Sequence, residues 1–530
     1  MSSRLASLAT PLRRTLSTQA WRSLVPEGKA LIGGEWKAGS SGQTFPASCW
    51  KTSHSYRSLC VIQVFSPAKE EQITEVPCAS SMGDLDASIE AAAEAQPAWA
   101  ALTVGARARV LEQWASKLEE NAPLLAQLIT AENGKVDSDA RGEISSAIQQ
   151  LRWYANEARA TYGQVIPSTN VPGRRLMVVH QPIGVVAMIT PWNFPLSMMT
   201  RKAGAALAAG CAVVLKPADE TPLTAIAAAF LATSEAGLDP RLLSILTSPR
   251  EDADAVGRVF CSHPLIRLVG FTGSTTVGKK LYTAAAMHMR RVQLELGGNA
   301  PFIIFESADL DSAVSQLIAS KFRCSGQTCV CANRILVHES IHETFVDMLT
   351  TAVGGLELGK HQGPLINKAA LNKVCKQFQL FLQVASMVGA AMREGAVATI
   401  GGKRAHVDGR GHFYSPTVLI NVTPTMSCGR EEIFGPVAPI IKFGTEAEAV
   451  ALANSTPSGL AGYMFSREVG QCWRVAEAME AGLVGVNTGL VSTPEAPFGG
   501  VKHSGIGHEG GPGALKEFMN TKYMCWAGID

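Results

Sequence analysis

From Gly184 onward, short apolar runs alternate with segments of helical character. The runs lie at Val185–Ile189, Ala212–Leu215, Leu243–Leu246, Ile266–Phe271 and Val292–Leu296. This alternation is typical of a parallel, doubly wound sheet, because each parallel strand needs a crossover, usually a helix, to return to the same edge. Thr221–Gly237 is predicted as one such crossover helix, with Thr221 as its cap and Gly237 at its end. The chain is therefore predicted to be an α/β protein.

Two further regions flank this alternation. From Asp86 to about Thr161 the apolar residues recur at helical spacing, which predicts a helical opening. After Glu295 a second α/β block begins, with strands at Phe302–Phe305 and Arg334–Val337 and a helix at Asp309–Phe322. Open α/β sheets bind ligands beyond the carboxyl ends of their strands, so we expect a site there and a catalytic role for the second block.

Charge and hydropathy exclude two classes of partner. The 530 residues carry a formal net charge of +2 with acids and bases interspersed, which leaves no basic stripe for nucleic acid. The apolar stretches Ala203–Leu215 and Phe378–Met392 are shorter than the roughly 20 residues that span a bilayer. We expect neither a nucleic-acid nor a membrane partner.

The N-terminal segment is basic and free of acids. It contains Arg4, Arg13, Arg14 and Arg22 with several serines and threonines, and its first acidic residue is Glu27. This composition is typical of a mitochondrial transit peptide, with an irregular terminus as the alternative. We assign residues 1–22 to the transit peptide and expect the mature chain in the mitochondrial matrix.

The strongest local motif delivers a cysteine. In Gly326-Gln327-Thr328-Cys329, small residues follow one predicted helix, and we expect Cys329 to begin another. A helix N-terminus stabilises a thiolate, which favours Cys329 as a nucleophile, although a buried inert thiol is the alternative. A zinc site with Cys324 and Cys331 is not expected, because a second ligand pair is missing.

Two more motifs supply partners for a nucleophile. Glu295-Leu296-Gly297-Gly298 places a carboxylate at a strand end, where it suits a general base that activates water. Pro191-Trp192-Asn193-Phe194-Pro195 is a rigid loop that presents an amide, and Asn193 is predicted to donate a hydrogen bond to a developing oxyanion. An exposed glutamate and an ordinary proline turn are the alternatives when each motif is taken alone.

Two segments indicate a dinucleotide cofactor. One segment lies between a predicted strand and a predicted helix, and its backbone amides could bind a pyrophosphate. It consists of Gly273, Ser274, Thr275, Thr276, Val277 and Gly278. The other segment follows another strand end and consists of Lys216, Pro217, Ala218 and Asp219. Its ammonium and carboxylate groups could bind ribose hydroxyls. A carboxylate repels a 2′-phosphate, so Asp219 favours NAD over NADP, which stays possible.

These motifs, in this order, resemble those of the aldehyde dehydrogenase superfamily from about Leu31 to Trp526. The resemblance implies a Rossmann-type cofactor domain, an α/β catalytic domain and a small β ribbon for oligomerisation. It assigns residues 23–163 and 183–295 to the NAD-binding domain, 296–505 to the catalytic domain, and 164–182 and 515–530 to oligomerisation. A homo-oligomer, either a dimer or a tetramer, is expected.

The resemblance also implies a mechanism. The Cys329 thiolate would attack an aldehyde, with its oxyanion held by Asn193 and by the Cys329 backbone N–H; hydride would pass to NAD, and Glu295 would activate the hydrolytic water. In Glu431-Glu432-Ile433-Phe434-Gly435-Pro436, Glu432 would bind the nicotinamide ribose and Phe434 would flank the ring. Trp192 and Leu296 are further expected cofactor contacts.

The substrate is predicted from two arginines. Arg201 and Arg323, with Ser492, are similar to the substrate-carboxylate contacts of succinate-semialdehyde dehydrogenases, as in 4-aminobutyrate degradation. The expected substrate is therefore a small aldehyde that carries a carboxylate, and glutarate semialdehyde is an alternative. A cysteine-dependent hydrolase or acyltransferase, and an inactive structural homologue, are alternatives of other classes.

Three features remain open on sequence alone. Cys331 lies two residues beyond Cys329, and a reversible disulfide between them is a redox hypothesis. The stretches near 47–63 and 378–391 fit the superfamily pattern poorly and are interpreted as insertions, with misjudged exon boundaries as our hypothesis. No metal site is predicted.

Overall fold

A computed structural model describes residues 19–39, 61–374 and 387–528. Within these ranges, two large sheets are covered by helices, and the predicted α/β class is confirmed. Most of the predicted transit peptide lies outside the described residues, as do 47–60 and 378–386 of the two predicted inserts.

The helices are numbered in chain order. They are α1 Met82–Ala101, α2 Val104–Glu120, α3 Ala122–Asn133, α4 Asp137–Ala160, α5 Pro195–Ala209, α6 Pro222–Phe230, α7 Ala253–Ser262, α8 Thr275–Ala286, α9 Leu310–Lys321, α10 His342–Gly354, α11 Lys368–Val374, α12 Met387–Arg393, α13 Ser427–Arg430, α14 Glu446–Asn454 and α15 Val469–Ala478. The helical opening predicted from Asp86 corresponds to α1–α4. Their apolar residues join the core of the first sheet.

The first sheet has the order β2-β1-β9-β8-β7-β10-β11-β23 among the described strands. Its members are β1 Ala30–Ile32, β2 Glu35–Lys37, β7 Val185–Ile189, β8 Ala212–Lys216, β9 Leu243–Ile245, β10 Ile266–Thr272, β11 Arg291–Glu295 and β23 Gly505–Ile506. The five central strands are parallel, while β1 and β23 pair antiparallel at the two sides. Each predicted strand of this sheet therefore agrees with an observed one to within one residue.

The second sheet begins directly after the first and has the order β14-β17-β18-β13-β12-β20-β21 in the described chain. Its strands are β12 Ala300–Ile304, β13 Ala332–His338, β14 Val397–Ile400, β17 Thr417–Ile420, β18 Val437–Phe443, β20 Ala461–Phe465 and β21 Leu483–Val486. The buried faces of these strands form two further apolar clusters. The loop of Cys329 precedes β13, in the middle of this sheet.

The remaining strands form small antiparallel units. They are the ribbon of β5 Gln164–Pro167, β6 Arg175–Pro182 and β24 Met519–Trp526, and the pairs β3 Val61–Ser66 with β4 Glu71–Pro77, β15 Arg404–Val407 with β16 Arg410–Tyr414, and β19 Ser458–Gly459 with β22 Val501–Lys502. Two of the predicted insert ends lie in regular elements, since 61–63 belong to β3 and 387–391 to α12. Among the described residues, no helix is long and apolar enough to span a membrane.

The crossover helix after β8 differs from the prediction in two respects. It is α-helical only over Pro222–Phe230 and continues as a π-helical turn at Leu231–Glu235. Thr221 does not cap it through its side chain. Instead, the backbone N–H groups of Leu223 and Thr224 donate to the buried carboxylate of Glu132, at 2.9 Å each. A carboxylate from α3 therefore satisfies the amides that a local cap would otherwise accept from.

Candidate active site

The Cys329 loop follows a 3-10 turn at Arg323–Gly326 and leads into β13, so the predicted helix start at Cys329 is wrong. Cys324, Ser325 and Gly326 have left-handed backbone, with φ of 50°, 59° and 70°. A Cβ on Gly326 would stand 2.2 Å from the carbonyl oxygen of Gly435. Because a side chain at position 326 would clash with this oxygen, the motif has glycine there. Because β13 begins three residues after Cys329, no helix fits in between.

The environment of Cys329 favours the neutral thiol. Burial raises the pKa of Cys329 to about 12, and the charges of Glu432 and Glu295 act in the same direction. Arg201 opposes them by stabilising the thiolate. Since no helix of the described chain begins at Cys329, the charge of Arg201 rather than a helix dipole assists ionisation of the thiol.

Glu295 ends β11 and is almost completely buried, with 2% of its surface exposed. Within the described ranges, neither of its carboxylate oxygens has a hydrogen-bond partner. Burial and the charge of Glu509 raise its pKa well above the usual value, whereas Lys202 and Arg201 lower it. A carboxylate with both oxygens uncommitted and a raised pKa suits a general base.

Sequence reasoning missed the buried pair that faces Glu295. Lys202 Nζ lies 2.5 Å from Glu509 Oε1, and both side chains are completely enclosed. Arg201 Nε lies 3.7 Å from Glu509 Oε2. The available signal was a lysine inside Pro195–Ala209, a helix that is otherwise largely apolar, because a buried ammonium requires a partner.

Asn193 lies beside the nucleophile loop, as its predicted role requires. Its Nδ2 donates to the backbone oxygen of Gln327 at 3.0 Å. Its Oδ1 is buried, and no partner for it lies in the described chain. An amide nitrogen carries two hydrogens, so one N–H stays available for an oxyanion formed next to Cys329.

A cavity of about 360 Å³ connects Cys329 with the predicted substrate residues Arg201, Arg323 and Ser492, all of which line it. Arg201 donates to Ser492 Oγ at 2.8 Å and lies over the ring of Phe498 at 4.3 Å. Arg201 Nη1 and Arg323 Nε are buried, and neither finds an acceptor among the described residues. Both arginines therefore have guanidinium hydrogens without an acceptor and both line the cavity, so they suit recognition of a carboxylate there.

The predicted nicotinamide contacts also meet. The rings of Trp192 and Phe434 are 5.6 Å apart in an edge-to-face arrangement. Phe434 has left-handed backbone with φ of 56°. Glu432 Oε1 accepts from the N–H of Gly298 at 3.0 Å, so the second cofactor motif is fixed against the Glu295 loop.

The residues predicted to bind the adenosine part of the cofactor lie at two strand ends. Lys216 is buried, and its ammonium donates to the oxygen of Pro217 at 3.1 Å, which leaves donors for a ligand. Ser274 caps α8 by accepting from the N–H of Val277. A Cβ on Gly278 would stand 2.3 Å from Leu296, so Gly278 lets this helix pack against the Glu295 loop. The predicted pyrophosphate segment therefore opens a helix, as anion binding requires.

Cys331 does not line the cavity that contains Cys329. It is buried, and its thiol donates to the oxygen of Gly326 at 3.4 Å and lies 3.8 Å from Lys321 Nζ. It lines a second cavity of about 90 Å³, which adjoins the first and shares four lining residues with it, Arg323, Thr328, Val330 and Ser492. A disulfide with Cys329 requires rearrangement of this loop and stays a prediction.

Comparison with known proteins accords with this geometry. The model of the aldehyde dehydrogenase family matches residues 50–524. The chain belongs to the aldehyde dehydrogenase family. This aldehyde dehydrogenase is 44% identical to the mitochondrial succinate-semialdehyde dehydrogenase of Rattus norvegicus, over 95% of this chain and 91% of the relative. It is 46% identical to the mitochondrial succinate-semialdehyde dehydrogenase of Arabidopsis thaliana, over 94% and 89% respectively.

A bacterial relative and a solved structure are similar to this chain over almost its whole length. The NADP(+) succinate-semialdehyde dehydrogenase GabD of Escherichia coli (strain K12) is 43% identical over 94% of this chain and 97% of its own length. The crystal structure of succinate-semialdehyde dehydrogenase from Burkholderia pseudomallei superposes with a TM-score of 0.87 at 43% identity, covering 95% of this chain and 98% of that one. The enzyme therefore shares the fold of this solved family member over 95% of its length.

Proposed function

We propose that this aldehyde dehydrogenase oxidises succinate semialdehyde to succinate with reduction of NAD. The observation that carries the proposal is the pair of arginines, Arg201 and Arg323, which line the cavity of Cys329 with Ser492. A carboxylate at one end of the substrate would occupy the uncommitted N–H groups of the arginines. Its aldehyde end would then be directed towards the thiol.

The reaction begins at the Cys329 sulfur. The thiol loses its proton, and the thiolate attacks the aldehyde carbon to form a thiohemiacetal whose oxygen carries the negative charge. The remaining amide N–H of Asn193 and the backbone N–H of Cys329 stabilise that oxygen. When bound, the nicotinamide cofactor accepts a hydride, so that the substrate carbon becomes a thioester of Cys329.

Hydrolysis completes the cycle. Glu295 takes a proton from a water molecule, the resulting hydroxide attacks the thioester carbon, and the carbon–sulfur bond breaks. Succinate leaves, and the Cys329 sulfur regains a proton. Because the raised pKa of Glu295 makes its carboxylate a stronger base, burial next to Glu509 assists this step.

The described residues fit a dinucleotide. Lys216 has spare donors, the α8 N-terminus offers backbone amides, and the aromatic pair of Trp192 and Phe434 lies near the nucleophile loop. Lys216, Pro217, Ala218 and Asp219 would hold the adenosine ribose, and Glu432 the nicotinamide ribose. Asp219 supports NAD as the preferred cofactor, because it would repel a 2′-phosphate.

We extend the proposal to assembly and location. The ribbon of β5, β6 and β24 exposes Tyr162, Val165, Tyr523 and Trp526 on or beside its strands, and exposed apolar groups of this kind support homo-oligomer formation. Residues 23–163 and 183–295 would form the cofactor domain and 296–505 the catalytic domain. The basic, acid-free N-terminal segment and the mitochondrial relatives support a mitochondrial enzyme.

The test is a comparison of substrates with the full chain. The appearance of reduced cofactor is followed with succinate semialdehyde, butyraldehyde and glutarate semialdehyde, each with NAD and with NADP. We expect the largest kcat/KM with succinate semialdehyde and NAD. A neutral aldehyde leaves buried arginines unpaired and is disfavoured strongly, by up to about 10⁴-fold, while one extra methylene costs about 10–200-fold. Equal kcat/KM values for butyraldehyde and succinate semialdehyde would contradict the substrate assignment.

A cysteine hydrolase is the alternative of a different class. It would release acid from an ester of the same chain length without any dinucleotide. The spare donors of Lys216 and the aromatic pair of Trp192 and Phe434 speak against it, because ester hydrolysis uses neither. Turnover of the aldehyde that depends strictly on added cofactor separates the two.

A further inference from the structure

One face of α4 contacts both segments that carry the substrate arginines. Asp139 and Glu143 lie four residues apart on this helix, Asp137–Ala160, so their side chains stand one above the other on the same face. Asp139 contacts the turn that contains Arg323, and Glu143 contacts the start of α5, the helix that contains Arg201. Both arginines therefore belong to segments that are bound to a single rigid element.

The turn Arg323–Gly326 needs partners outside itself. Cys324 and Ser325 have left-handed backbone with φ of 50° and 59°, a conformation that residues with a side chain rarely adopt because it costs free energy. The backbone N–H of Cys324 donates to Asp139 Oδ2 at 2.8 Å. Ser325 Oγ donates to the backbone oxygen of Gly363 at 2.7 Å. These two contacts stabilise a turn that is unfavourable by itself.

Asp139 also lies at the substrate cavity. It lines the cavity of about 360 Å³ together with Arg323 and Cys329. Burial raises the pKa of Asp139, and the backbone N–H of Cys324 opposes this rise. The charges of Lys135 and Arg323 also lower the pKa of this carboxyl. Asp139 is therefore within electrostatic reach of Arg323, and its hydrogen bond acts on the next residue of the chain.

Glu143 binds α5 in a similar way. Its Oε1 accepts from the backbone N–H groups of Leu196 at 2.8 Å and Ser197 at 3.1 Å. A carboxylate stabilises a helix N-terminus, where the amides lack partners within the helix. Arg201 follows Ser197 by about one turn of α5. Lys135 forms a buried ion pair with Glu143, which compensates the charge of this carboxylate.

We propose that Asp139 is a positioning residue for recognition of the substrate carboxylate, because its hydrogen bond from Cys324 fixes Arg323 relative to Arg201. Asp139 acts through the turn and does not itself bind the substrate. Two arginines recognise one carboxylate only at the correct spacing, and a misplacement of about 1 Å can lower a rate by up to about 10²-fold. The inference rests on the proposed function, since it assumes an aldehyde that carries a carboxylate.

The experiment compares two replacements of Asp139 that both remove its charge. Asp139→Asn retains an oxygen that can accept from the N–H of Cys324, whereas Asp139→Ala has no acceptor. Asp137→Ala is the matched control, because Asp137 is an exposed acid in the same first turn of α4 and pairs with Arg141. Initial rates with NAD give kcat/KM for succinate semialdehyde and for butyraldehyde with the full chain of each variant. Thermal melting compares the stability of the variants.

The decisive quantity is the kcat/KM for succinate semialdehyde divided by that for butyraldehyde. We expect Asp139→Ala to lower this ratio about tenfold, within the effect of a small misplacement of Arg323. A displacement of Cys329 affects both aldehydes and cancels in the ratio. Asp139→Asn should retain at least about a third of the wild-type ratio, and Asp137→Ala should leave it unchanged.

Two results would overturn the positioning role. One is a ratio in Asp139→Ala within about twofold of the wild type, and the other is an equal fall of the ratio in Asp139→Ala and Asp139→Asn. If Asp139→Ala does not fold, Asp139→Asn decides alone, since an about tenfold fall there contradicts the role and a retained ratio supports it. A wild-type ratio near one contradicts the proposed substrate instead, which distinguishes that failure from failure of the inference about Asp139.

Discussion

Replacement of Arg201 by glutamine separates substrate recognition from the rest of the active site. Arg201 is 5% exposed, donates to Ser492 at 2.8 Å and packs over Phe498 at 4.3 Å. Glutamine retains a hydrogen-bonding group and much of the volume but removes the charge. Loss of one partner of a buried, hydrogen-bonded charge pair costs about 2–5 kcal/mol, and Arg323 would still hold part of the carboxylate.

We therefore expect the lower part of that range, about 2–4 kcal/mol, which lowers kcat/KM for succinate semialdehyde about 30- to 1000-fold. Butyraldehyde has the same chain length with a methyl group in place of the carboxylate, so its kcat/KM should fall only by the effect of Arg201 on the catalytic groups and therefore by a smaller factor. The assay is the initial rate of cofactor reduction with both aldehydes for wild type and variant.

The informative quantity is the ratio of the kcat/KM values for succinate semialdehyde and butyraldehyde. Arg201 also lies 3.7 Å from Glu509, and its charge lowers the pKa of Glu295 and of Cys329. Its removal therefore affects the chemistry of every aldehyde, and this effect cancels in the ratio. If both substrates lose the same factor, Arg201 acts on the catalytic groups alone and the carboxylate argument is refuted.

Three further predictions concern the reacting groups. Asn193→Ala should lower kcat about 10²–10³-fold, the usual effect of losing one oxyanion donor, and near-normal turnover would exclude that role. Because the pKa of Cys329 is raised to about 12, its thiolate fraction grows about tenfold per pH unit between pH 7 and 9. Alkylation of Cys329 by iodoacetamide in the cofactor-free enzyme, followed by peptide mass spectrometry, should accelerate by the same factor. A rate that reaches a plateau below pH 8 would contradict this pKa. Peroxide inactivation should be reversible by dithiothreitol and should be lost in Cys331→Ala; inactivation that dithiothreitol cannot reverse, or that survives in the variant, would argue against a disulfide with Cys329.

Tertiary contacts decided several features that local patterns did not contain. The sequence predicted a helix start at Cys329 from the chemistry that a thiolate needs, whereas the structure has left-handed backbone at Cys324–Gly326, with Gly326 against Gly435, and a turn at Cys329 that leads into β13. Thr221 is a suitable cap by residue type, yet the carboxylate of Glu132, which lies 91 residues before Leu223, occupies the amides of α6. In both cases the deciding partner is distant in sequence and close only after folding.

The chain alone determined the fold class and the five central strands of the first sheet, because alternation of apolar runs with helices is a local property of the sequence, whereas β1, β2 and β23 were not predicted. It also placed Cys329, Glu295 and Asn193, since each stands in a motif whose residue types suit one chemical step. The structure added the Lys202–Glu509 pair, separated by 307 positions, and brought Arg201 to Ser492 across 291. Charges and hydrogen bonds act over a few ångströms, so which residues share a cavity is decided by the packing of distant segments rather than by their order along the chain.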